Sequence, residues 1–95
     1  MMNEATSFAA FAGELAGLRR RQKELGFAAL AQIRRSDKEL AELLQDAFGL
    51  DDEKAAEWLA QTGFAAHTSP IELLATGMRN EVRSMLVSIS RGLCA

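Results

Sequence analysis

Apolar positions in this chain recur at intervals of three and four, and no segment alternates with period two, so every predicted element is a helix. Over residues 4–25, Phe8, Phe11, Leu15, Leu18, Gln22 and Leu25 fall at a 3-4-3-4-3 spacing, an a/d seam over three short repeats. Gly26 is expected to interrupt, leaving residues 27–34 as a second piece or a continuation. Ser36-Asp37-Lys38-Glu39 reads as a capping box. The helix it opens buries Leu40, Leu43, Leu44, Ala47 and Phe48 and ends at Gly49. Asp51-Asp52-Glu53 sets three carboxylates on the positive end of the next helix, which runs to about Thr62 and stops at Gly63. A further start follows at Ser69-Pro70-Ile71-Glu72. Ser69 caps, Pro70 gives up an N–H that has no helical partner, and Glu72 reaches back to the cap. Thr76-Gly77 ends that short helix. A last one spans about Met78 to Ser90, with Val82, Met85, Leu86 and Ile89 as its core stripe, before Gly92. The prediction is all-α: a small bundle of about five to six helices behind a long N-terminal helix.

With 95 residues the chain has room for one small domain and a modest core. It reads as an N-terminal helical region over 1–45 and a second helical unit over 46–95. A core of that size makes a homodimer through Phe8, Phe11, Leu15 and Leu18 a natural expectation. The other reading of the seam is an amphipathic helix packed on its own domain. Net charge is −2, which gives the whole chain no nucleic-acid signature. Arg19, Arg20, Arg21 and Lys23 cluster within five positions, but no aromatic is interleaved among them, and a solvated face explains them as well as phosphate contact does. A helix-turn-helix over 22–45 would use DKELAELLQD as its recognition helix. Asp37, Glu39, Glu42 and Asp46 would repel phosphates there, so no sequence-specific duplex binding is expected.

Catalytic patterns are missing: no GxGxxG, Walker loop, GxSxG, HExxH or EF-hand spacing occurs. His67 is the single histidine and Cys94 the single cysteine. No internal disulfide or Cys/His zinc site is possible, and no cofactor or metal is expected. One unpaired thiol, basic residues placed after the first apolar stretch rather than before it, and no transmembrane-length apolar run point to the cytoplasm. Trp58, the lone tryptophan, reads as a core anchor ahead of a ligand platform. The residues describe a helical interaction protein and no enzyme.

From Asp46 onward the order of residues says more. DAFGLDDEKAAEWLAQTGFAAHTSPIELLATG is followed by V-x-x-M-L-x-x-I-x-x-G-L-x-A. Ala56, Trp58, Leu59, Ser69, Pro70, Leu73, Leu74, Thr76, Gly77, Val82, Leu86, Ile89 and Gly92 stand in sequence. About half the chain therefore resembles the C-terminal toxin-binding domain of the bacterial Xre/MbcA/ParS antitoxin family. The resemblance implies an antitoxin that neutralises a RES-domain toxin, an NAD-degrading enzyme, by covering its active-site cleft with the last helix and tail. Carried over, that role falls on Arg91, Gly92, Leu93, Cys94 and Ala95, with Trp58 and the Ser69, Pro70, Glu72 helix start shaping the surface behind them. Family members carry a helix-turn-helix region ahead of this domain. Here residues 1–45 read as a long helix and a short one, so that region is reduced or absent. The alternative is a small DNA-binding regulator that uses the domain to dimerise. Leu93 also has two readings: an anchor inside a partner's cleft, or the hydrophobic contact of a Schellman cap.

Overall fold

The computed structural model describes residues 4–62 and 68–92. Among these residues five helices follow one another: α1 (Glu4–Ser36), α2 (Lys38–Phe48), α3 (Asp52–Ala60), α4 (Pro70–Ala75) and α5 (Arg79–Ser90). Among the described residues there is no strand. The fold is the expected small all-α bundle with a long first helix.

That first helix is longer than its sequence suggests. Gly26 does not interrupt it: α1 is continuous for 33 residues, about 50 Å at 1.5 Å per residue, and sets the 56 Å long dimension of the molecule. Glycine stands at 26 for another reason. A Cβ there would fall 2.6 Å from the carbonyl carbon of Ala56 and 3.0 Å from its Cα. The missing side chain lets the α3 backbone lie directly on α1, and Ala55 and Ala56, both buried, keep α3's own face small. The cross-pairs Arg34–Asp52 and Lys23–Glu53 lie along the same contact.

The second predicted cap is also displaced. Ser36 belongs to α1, where its hydroxyl donates to the Gln32 carbonyl at 2.8 Å. Asp37 is the N-cap of α2, its carboxylate accepting from the Leu40 N–H at 3.2 Å. A single residue thus separates α1 from α2. α3 ends at Ala60, two residues before the expected stop, on a cap at Gln61.

The α4 start is built as its residues require. The Glu72 N–H donates to Ser69 Oγ at 3.2 Å, and the Ser69 N–H donates to Glu72 Oε1 at 3.2 Å. Pro70 at the first position is fully buried. The other end is a Schellman cap: the Met78 N–H donates to the Leu73 carbonyl at 2.9 Å and the Gly77 N–H to Leu74 at 3.2 Å, with Gly77 at φ +81°. Six residues cannot stay helical unaided. α4 is held because it packs between α3 and α5.

One hydrophobic cluster unites Leu30 and Ile33 of α1, Leu40 and Leu44 of α2, Ala55, Trp58 and Leu59 of α3, and Val82 and Leu86 of α5. It draws on both sides of position 45, so the C-terminal third of α1 and all the later helices form one packed body. Burying each large aliphatic side chain contributes about 1.5–3 kcal/mol.

Candidate protein-interaction surfaces

The N-terminal half of α1 stands clear of that body. Every residue from 8 to 22 is exposed. Phe8 (66%), Phe11 (56%), Leu15 (51%) and Leu18 (63%) share one stripe, and Leu25 (45%) extends it toward the body. The rings of Phe8 and Phe11 meet edge to face, their centroids 6.1 Å apart. Of the two readings of the seam, packing against the chain's own domain is not what the described residues do. Four large apolar side chains one turn apart form the kind of contiguous exposed patch that marks a binding surface.

The basic residues beside this stripe are partly engaged. Arg21 pairs with Glu24 at 3.1 Å, Lys23 with Glu53, and Arg34 with both carboxylate oxygens of Asp52 at 3.1 and 2.6 Å. Hydrogen bonding to Asp52 raises the Arg34 pKa and holds Asp52 below the usual carboxylate range. At the other end of the body, Arg79 clamps α5 to the start of α2. Its guanidinium donates to Asp37 at 2.6 and 2.9 Å and to Glu39 at 2.9 Å, and Arg83 approaches Glu39 at 3.5 Å. The Arg79 hydrogen bonds are the main cause of the lowered Asp37 and Glu39 pKa values, and they raise that of Arg79 in turn. Nothing in the sequence pattern announced this clamp, because its partners lie about 40 positions apart.

This clamp carries a pH dependence. Carboxylates with depressed folded pKa values bind fewer protons folded than unfolded. Their stabilisation is therefore complete above the unfolded values, near pH 4, and is lost as pH falls through the lower folded ones. Asp37→Asn keeps an N-cap acceptor but removes the ion pair. It should flatten the acid side of the stability profile, whereas Asp37→Ala should in addition lose about 0.5–2 kcal/mol of capping at all pH values. Urea midpoints measured from neutral pH down to about pH 3 check this, since exposed pairs outside such clusters contribute little.

The residues expected to meet a toxin divide between interior and surface. Trp58 is a core residue, 7% exposed, its ring 5.7 Å from that of Phe48 at a tilt of 49°. It supports the fold from inside. Arg91 caps α5 and is exposed, and Gly92 follows at φ +72° with its N–H donating to the Ile89 carbonyl at 3.0 Å. Val82 and Leu86, both without exposed surface, fix α5 in the core. Leu93, Cys94, Ala95 and His67 lie outside the described residues. Among the described residues no group of three His, Cys, Asp or Glu side chains is placed to hold a metal ion, and no helix is long and apolar enough to cross a membrane. In comparisons with known protein families, curated proteins and solved structures, the chain matches none.

Proposed function

We propose that this chain is a non-enzymatic interaction protein of the antitoxin type, acting in the cytoplasm. It holds a RES-domain, NAD-degrading toxin and covers the toxin's active-site cleft with the end of α5 and the segment from Arg91 to Ala95. The observation that carries this reading is how the residues of the resemblance distribute in the fold. Ala56, Trp58, Leu59, Pro70, Val82 and Leu86 are buried, and Ser69, Glu72 and Gly77 make the two ends of α4. The ordered motif is thus a coherent folding unit, and Arg91, the cap that follows α5, is exposed. A guanidinium there suits a carboxylate or the place of a substrate phosphate. Leu93 would supply the apolar anchor beside it.

The regulator reading has less behind it. A one-residue junction between α1 and α2 is shorter than the three- or four-residue turn of a helix-turn-helix. α2 buries Leu40 and Leu44 and carries Glu39, Glu42 and Asp46 elsewhere on its surface.

Removing residues 92–95 tests the proposal. The truncated chain should keep its helical circular dichroism and melting temperature nearly unchanged, because the core ends at α5. It should no longer protect cells that express the RES-domain toxin of the same genome from NAD loss. Full protection by the truncated chain would show that the tail is not the plug.

A further inference from the structure

We propose that the free half of α1 pairs antiparallel with the same segment of a second copy. This goes beyond the toxin reading and does not depend on it. Residues 8–25 carry an apolar seam that the described residues of the single chain leave exposed. One antiparallel register pairs every member of it: Phe8 with Leu25, Phe11 with Gln22, and Leu15 with Leu18 of the other copy, about a symmetry axis between Ala16 and Gly17. About 27 Å of helix is then paired.

Two features on the flanks of the seam select this orientation. A two-fold axis across antiparallel helices brings like flanks together. On one flank that sets Glu14 of each copy against Arg21 of the other, two opposite-charge pairs of the kind that fix partner and orientation in coiled coils. The other flank is small from Ala9 through Ala12 to Ala16. The same flank, continued toward the body, is where α3 lies, and there a groove of ≈ 680 Å³ opens between Arg19, Gln22 and Lys23 of α1, Glu57 and Ala60 of α3, and its cap Gln61. Only the antiparallel pairing lays the alanine flank of one copy along this groove in the other. A parallel pairing would bring unlike flanks together. It would also stack Arg19, Arg20, Arg21 and Lys23 of both copies at one level, where like charges repel. Ala9, Ala12 and Ala16, all exposed among the described residues, then serve close helix approach.

The test uses the chain without any toxin. Sedimentation equilibrium of the unaltered protein at micromolar concentration should give the mass of a dimer. Two variants, Phe8→Cys and Leu25→Cys, each with Cys94→Ser, are then oxidised alone or after mixing under reducing conditions. A disulfide needs Cα atoms within about 7 Å. Like cysteines lie about 25 Å apart in this register, so each variant alone should stay uncrosslinked and only the mixture should yield a covalent dimer. Crosslinking of either variant with itself overturns the antiparallel arrangement. A dimeric parent whose mixture does not crosslink overturns the register, and a monomeric parent overturns the second copy as the occupant.

Discussion

Gly26→Ala is expected to destabilise the protein by about 3 kcal/mol, at the upper end of what overpacking costs. The direction is opposite to the intrinsic preference, since alanine in a helix interior is favoured over glycine by about 1 kcal/mol. Packing decides because the atoms a Cβ would meet are the backbone of Ala56, which no rotamer change can move. α3 must shift as a body, and the shift would pull Leu59 and Trp58 from the core. Gly13 and Gly17 are the internal controls. A Cβ at either meets nothing within 4 Å, so Gly13→Ala and Gly17→Ala should each gain up to about 1 kcal/mol. Urea unfolding of the three variants checks the contrast. Equal behaviour at all three positions would mean that α3 does not lie on Gly26.

Trp58→Ala should lose about 3–5 kcal/mol. The indole is nearly enclosed, packs on Phe48, and sits in the cluster that joins α1, α2, α3 and α5. A domain of this size has a total stability on the order of 5–15 kcal/mol, so the variant should be largely unfolded at moderate temperature. Trp58→Phe, which keeps an aromatic ring against Phe48, should cost less and leave a cooperative melt. Thermal melts followed by circular dichroism distinguish the two. The pair also separates the interior role of Trp58 from a direct binding role. If Trp58→Phe retains the fold and every partner interaction, the indole acts through the core. If Trp58→Ala melts with the parent, the ring is not where the structure has it.

These two residues show where the sequence was legible and where it was not. Period and capping chemistry are local, so the Ser69–Glu72 box, the Gly77 cap and the core stripe of α5 could be read directly. Trp58 was legible as an anchor because a large aromatic on an amphipathic helix gains most by burial. Gly26 was misread as an interruption because its reason lies 30 positions away, in the approach of Ala56, and one chain segment cannot display a tertiary contact. Asp37 displaced Ser36 as the cap for a related reason. Its carboxylate caps α2 and receives Arg79 of α5 at the same time, and the second partner is invisible to a local rule. The stripe from Phe8 to Leu18 was legible as a seam, but only the fold shows that the body leaves it uncovered.

We propose that the end of α5 and the tail stop a RES-domain toxin. The most direct measurement is NAD consumption by that purified toxin, from the same genome, as the full-length chain is titrated into it. Consumption should fall to background at a fixed stoichiometric ratio, and the chain lacking residues 92–95 should leave it unchanged at the same concentrations. Undiminished NAD consumption in the presence of excess folded, full-length chain would contradict it.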